Sequence, residues 1–331
     1  MYNRLSIFLV GAILPWLMVA CSDSNDPEEP PSVPDVELAD NVLVFTDQQI
    51  PNFYLQQAID EGEEDPTARL RGDIMGRAIV IVKLSGKASH VGVDISVSPP
   101  KYIPYDATVP QTGVWIAEHP ETRNRQLQTD DTGWWTMYIV KDAEADLEFS
   151  FVYEKEGWPT TKTNINTITD EDDTDFGIQL IDGPYYQYSM IPFIEAMLRS
   201  NGYPNFFFDT AMVVTVGKSW GSLHDERLPH GDPGAVATVS PGPDNYIGPV
   251  YFNRQVIPDL NQPDVSVDGG VAWLNMASNR VYHVSAEKDG VNYSTVRFDV
   301  ADTDQDAGIK LYIASPPDSV QGDNDSPPGE P

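Results

Sequence analysis

The feature that most constrains this chain is an internal repeat. FVYEKEGWPTTKTNINTITDEDDTDFGIQL begins at Phe151, and HVSAEKDGVNYSTVRFDVADTDQDAGIKL begins at His283. Both carry a Glu-Lys-acid-Gly turn, a polar and apolar strand-like run, an Asp-x-Asp-x-Gly turn and a short apolar strand. Lys155 aligns with Lys288 and Asp175 with Asp306 at nearly the same offset. Upstream, QLQTDDTGWWTMYIV matches DVSVDGGVAWLNMAS, placing Asp130 against Asp268 and Trp135 against Trp273. VDISVSPP matches AVATVSPG, each a strand running into proline. Even the leaders agree: IPNFYLQQAIDEG from Ile50 and IPFIEAMLRSNG from Ile191. Two copies of one module account for this order better than one irregular domain.

The module is predicted to be β-rich. Phe149, Phe151 and Tyr153 alternate with Glu148, Ser150 and Val152. Tyr282, Val284 and Ala286 alternate with Val281, His283 and Ser285, and Val296, Phe298 and Val300 with Thr295, Arg297 and Asp299. Period-two alternation buries one face of a strand and wets the other. Twenty-eight prolines and 24 glycines supply the turns of a sandwich. Each leader reads as a helix. Met190, Phe193, Ile194, Met197 and Leu198 form one apolar stripe with Gly202 just past its end, and Ile50, Phe53, Tyr54 and Ala58 repeat the spacing.

SVDGGVAWLNMASNRVYHVSAEKDG resembles the carboxypeptidase regulatory-like domain. The residues that carry the resemblance are Asp268, Gly269, Tyr282, Val284, Ala286, Lys288 and Gly290; in the first copy they are Asp130, Gly133, Trp135, Lys155 and Gly157. Ala277 to Arg280 depart from the family, which has Pro-x-Gly before the tyrosine. The resemblance covers most of each β-module and excludes the leader helices. It implies a non-catalytic accessory domain with a carbohydrate-binding-like fold. The expected fold class is therefore all-β: two tandem transthyretin-like (prealbumin-like) β-sandwiches, each preceded by a short α-helix. Residues 41–182 would hold the first and 183–316 the second.

The N-terminus suggests where such a chain resides. MYNR is basic, Leu5 to Ala20 is apolar, and the run is too short to span a bilayer. Met18-Val19-Ala20-Cys21 resembles the bacterial lipobox, with Met18 in place of the usual Leu. The resemblance implies that residues 1–21 hold a lipoprotein signal peptide and lipobox, and that Cys21, the single cysteine of the chain, is lipidated and becomes the first residue of the mature protein. Ser22 stands where Asp usually marks inner-membrane retention, which favours the outer membrane. Residues 22–40 read as a disordered, acidic, Pro-rich tether and 317–331 as a disordered tail. The formal net charge of −31 argues against nucleic acid as a partner and leaves membrane attachment to the acyl chains.

The candidate chemistry is sparse. Asp173 and Asp175 precede Gly177, and Asp302, Asp304 and Asp306 precede Gly308. Alternating carboxylates before a glycine suit calcium, although position twelve counted from Asp302 is Ile313 rather than an acid. His224, Asp225, Glu226, His230 and Asp232 could supply nitrogen and oxygen ligands to zinc. GKSWG, with Ser219, fits G-x-S-x-G, but the helix a nucleophile elbow requires is broken by Pro229, Gly231, Pro233 and Gly234. Trp134, Trp158, Trp220, Tyr185 and Tyr186 lie in or near turns, where aromatics stack on sugars or pack between modules. The expected function is a lipid-anchored envelope protein that binds or supports, with a glycan or another envelope protein as partner and no catalysis. The alternatives are a calcium-stabilised adhesion protein and a serine hydrolase using GKSWG.

Overall fold

The computed structural model describes residues 43–46, 72–74, 77–94, 101–142, 146–168, 179–185, 190–218, 231–242, 246–255, 257–314 and 319–322. All of them belong to one compact unit, Val36–Pro331. The signal and lipobox, the tether, the first leader helix and the Asp173–Asp175 turn lie outside the described residues.

The chain is all-β, as expected. Its strands are β1 (Leu43–Thr46), β2 (Gly72–Ile74), β3 (Arg77–Asp94), β4 (Lys101–Thr108), β5 (Gly113–Ile116), β6 (Trp134–Asp142), β7 (Leu147–Phe149), β8 (Phe151–Glu154), β9 (Thr160–Thr163) and β10 (Asn166–Ile168). They continue as β11 (Gln179–Tyr185), β12 (Ala211–Thr215), β13 (Val236–Ser240), β14 (Ile247–Phe252), β15 (Pro258–Asp259), β16 (Gly270–Leu274), β17 (Arg280–Glu287), β18 (Val296–Val300) and β19 (Ile309–Ile313). A helix covers Met190–Ser200, with Gly202 just beyond its end as predicted, and a single helical turn covers Asp302–Asp306.

Similar strand pairings occur in the two stretches that the sequence aligns. In the first copy β3 pairs antiparallel with β6 and parallel with β11; in the second β12 pairs antiparallel with β16 and parallel with β19. Antiparallel β5-β8-β9 in the first copy corresponds to antiparallel β13-β17-β18 in the second. The repeated turns agree as well. Gly133 and Gly269, before β6 and β16, have φ of +81° and +89°, where a side chain is strained, and a Cβ on Gly133 would meet the Ala88 carbonyl oxygen at 2.7 Å.

The repeat alone does not reveal how the copies meet. β9 pairs parallel with β19, matching Lys162 with Tyr312 and Thr163 with Ile313. One eight-stranded sheet results, in the order β15-β14-β16-β12-β19-β9-β8-β5. Both of its faces are buried. On one face Val152, Trp115, Trp273 and Tyr312 join Tyr282, Val284, Phe298 and Val300 of the β13-β17-β18 sheet. On the other, Phe151 and Tyr153, with Phe149 of β7, pack on Trp135 and Met137 of β6, and Leu274, Leu311 and Ile313 pack on Ile194, Met197 and Leu198 of the helix.

This double burial corrects one alternation. Ser150 and Val152 were expected to face water, yet both are fully buried, because their side of β8 meets a second layer. Strands β17 and β18, in an outer sheet, keep the predicted pattern, with Val281 exposed and Tyr282, Val284, Phe298 and Val300 buried. Within the stretch expected to be disordered from 317, Val320 is buried in the second copy's core and Gly217 accepts a backbone bond from Gly322.

Phe298→Ala is expected to cost about 3–5 kcal/mol, as a large aromatic removed from a closed core. Arg297→Ala, one residue earlier and on the wet face with only a half-exposed ion pair to Glu148, should cost less than about 1 kcal/mol. Urea midpoints of the two variants check the contrast.

Candidate functional site

Strands β9 and β19 bring together residues that lie far apart in sequence. Lys162 and Tyr312 are direct neighbours across the parallel pair. Their side chains share the buried face with Val152, which is matched to Lys162 on the antiparallel side. The helical turn Asp302–Asp306 closes over this row and places Asp304 in it. Lys162 Nζ donates to Asp304 Oδ2 at 3.1 Å and Oδ1 at 3.3 Å, and to the Asp299 carbonyl at 3.0 Å. Oδ2 also accepts from the Tyr312 hydroxyl at 3.0 Å and the Ala301 N–H at 3.1 Å. Oδ2 thus takes three donors and Oδ1 one, the pairing that a buried charge requires. Burial, and next the adjacent Asp304 charge, raises the Tyr312 phenol, so it remains a donor.

A second cluster repeats the chemistry in the outer sheet. Asp232, buried, accepts from Lys288 through one oxygen and from the Tyr293 hydroxyl through the other at 2.6 Å. Lys288 is one of the residues that carry the family resemblance, and its ammonium here anchors the turn after β17.

These bonds place the sequence candidates. Asp232, grouped with four possible zinc ligands, is held by Lys288 and Tyr293; His224, Asp225, Glu226 and His230 lie outside the described residues. Of the calcium candidates, Asp302 accepts from the Ser278 hydroxyl at 2.6 Å, Asp304 is bound as above and Asp306 is exposed; Asp173 and Asp175 lie outside the described residues. Among the described residues no group of three His, Cys, Asp or Glu side chains is placed to hold a metal ion. Cys21, Ser219, Trp220 and Tyr186 lie outside them as well. Tyr185 is the last residue of β11, and Trp158 packs on the first copy's core. Lys162 has no local signal: it belongs to an unremarkable TTKT, and its partner is 142 residues away.

Among the described residues, three aromatic side chains face solvent. Phe207 is 69% exposed, with the Arg199 guanidinium 4.7 Å from its ring centroid, and Tyr203 nearby in sequence is 41% exposed. Arg199 is itself held by Glu195 at 2.8 Å and the Phe206 carbonyl at 2.8 Å, so the stacked ring has a fixed backing. Trp134, at the tip of the Asp130 turn, is 38% exposed, with the Lys87 amine 6.0 Å from its ring. A wholly apolar gap of about 30 Å³ beneath the Met190–Ser200 helix is a packing gap with room for little more than one water.

Comparison with known proteins adds little to this geometry. No family model matches the chain, and no curated protein does. Among solved structures, a family 26 carbohydrate-binding module from Eubacterium rectale in complex with maltoheptaose is 10% identical, over 74% of this chain and 98% of that one, with a TM-score of 0.21. The shaft pilin SpaA from Lactobacillus rhamnosus GG is 8% identical, over 76% of this chain and 100% of that one, with a TM-score of 0.20. Superpositions this loose carry neither a site nor a ligand across. No helix among the described residues is long and apolar enough to cross a membrane.

The repeated Asp turns sit in opposite environments. Asp130 is open to water, and hydrogen bonds from Thr132 first, then backbone, lower its carboxyl. Desolvation raises Asp268 from 3.8 to about 7 despite a bond from the Gly270 N–H. The fold therefore prefers the neutral Asp268. That preference stabilises fully below 3.8 and is lost as pH rises to about 7. Asp268→Asn should flatten this decline, adding stability at pH 8 relative to the parent and little at pH 3, read from urea midpoints at the two pH values.

We propose calcium only as a competitor of Lys162 for Asp304. Because that carboxylate is buried and already paired with the Lys162 ammonium, millimolar calcium is expected to leave the melting temperature unchanged. A rise that disappears in Asp304→Asn would assign calcium to the turn.

Proposed function

We propose that this chain is a non-catalytic binding or structural protein of the cell envelope, anchored by a lipid on Cys21 and displaying a β-rich body on an acidic tether. The observation that carries the binding half is Phe207. A ring that exposed, backed by a fixed guanidinium on one side, leaves its apolar character available to a partner. The C–H face of a sugar ring suits such a surface, and the high acidic charge disfavours polyanionic partners. Trp134 with Lys87 offers a second aromatic contact of the same chemistry.

Affinity electrophoresis in gels cast with neutral envelope or storage polysaccharides tests this reading. Retardation by at least one polysaccharide is expected, reduced by Phe207→Ala or Trp134→Ala with the melting temperature unchanged. Absence of retardation in every gel removes the glycan reading and leaves a protein partner or a purely structural role. Cys21→Ala is expected to release the chain from the membrane fraction, because each buried acyl CH₂ contributes about 0.8 kcal/mol of attachment. Intact, unlipidated parent protein in the soluble periplasmic fraction would overturn the anchor.

A further inference from the structure

We propose that Lys162 and Asp304 condense to an amide, an intramolecular cross-link joining the two copies of the module. Every atom the reaction needs is already in place. Lys162 Nζ lies 3.1 and 3.3 Å from the two oxygens of a buried carboxylate that also takes the Tyr312 hydroxyl. That is near the separation at which bound reactants attack, and holding them there supplies an effective concentration of about 10⁵ M or more.

The two carboxylate oxygens have different surroundings. Oδ2 takes the Tyr312 hydroxyl and the Ala301 N–H; Oδ1 takes only Lys162. A tetrahedral intermediate would place its negative charge on Oδ2, where two fixed donors receive it. Oδ1 would be the oxygen that leaves. The Asp299 carbonyl accepts one Lys162 N–H and holds the amine beside the carboxyl.

The step balances without a co-reactant. The ammonium surrenders two protons, both to Oδ1. The Lys162 Nζ–Asp304 Cγ bond forms, the Cγ–Oδ1 bond breaks, and Oδ1 departs as water. One positive and one negative charge disappear together, and nothing is oxidised or reduced. Once formed, the amide sits where water has little access to reverse it.

Asp232 and Lys288 are an internal comparison. They have a tyrosine donor too, but the Lys288 side chain is 30% exposed against 4% for Lys162. The more open Lys288 side chain leaves the second pair nearer solvent, so it should remain ionic.

Tryptic mapping of the full chain, denatured after purification from membranes in detergent, tests the proposal. A linked species is expected in which residues 156–199, uncleaved at Lys162, are joined to residues 298–310, lighter than their sum by one water. Cleavage after Lys288 should proceed normally. Lys162→Arg keeps the charge but not the amine, and the linked species should vanish in it. Tyr312→Phe removes a donor from Oδ2 and should slow appearance of the link in newly made chain by about 10²-fold. Recovery of Glu156–Lys162 as a free peptide from the parent chain, with no linked species, overturns the proposal, and this outcome does not depend on whether either variant folds.

Discussion

The parallel seam between β9 and β19 is the constraint on which the described fold rests. Each copy of the module would otherwise end in a strand edge with unpaired backbone groups, a template for association with other chains. Pairing the two edges satisfies both and fuses two small sheets into one of eight strands. Lys162 sits within that seam. A strand slip of one residue would turn it to the opposite face, among Phe151, Tyr153 and Leu311, away from Asp304. Its pairing with Asp304 therefore selects the register, an example of a buried ion contributing specificity.

Fusion places the two sandwiches on opposite faces of the shared sheet. The first copy's core lies beneath β5 and β8, and the second copy's lies above β12, β16 and β19. The Met190–Ser200 helix covers what would otherwise be an open apolar surface on Leu274, Leu311 and Ile313. Strands in the middle layer consequently have no wet side: all five residues of β16 are buried. Polar residues caught there hydrogen-bond locally. Thr161 bonds the Pro159 carbonyl, and Thr163 receives the Phe151 N–H.

The polar clusters of this chain serve cohesion. Asp304 and Asp232, two acids that invite a metal reading in the sequence, are each neutralised by a lysine and a tyrosine. Both clusters tie together segments that lie far apart in the chain. The solvent-facing aromatics lie outside the cores these clusters stabilise, so a partner could bind there without disturbing them.

Much of this was legible in the sequence. Recurrence of Asp130 with Asp268, and of Lys155 with Lys288, predicted a repeated β-module because turn chemistry and alternation are local properties. The outer strands β17 and β18 and the Met190–Ser200 helix could be read for the same reason: each has one buried face, and its period records it. β8 misled because a strand buried on both sides loses its period, as Ser150 and Val152 show. Lys162 could not be read at all. Nothing near it marks a buried cation, and its meeting with Asp304 exists only once two distant edges pair. The sequence by itself determined the β-rich character, the turns and the buried faces of the outer strands, since those depend on residues within a few positions of one another. Only the tertiary structure decided that the copies share a sheet and which acids are committed to it, because strand edges and buried charges find their partners through space rather than along the chain.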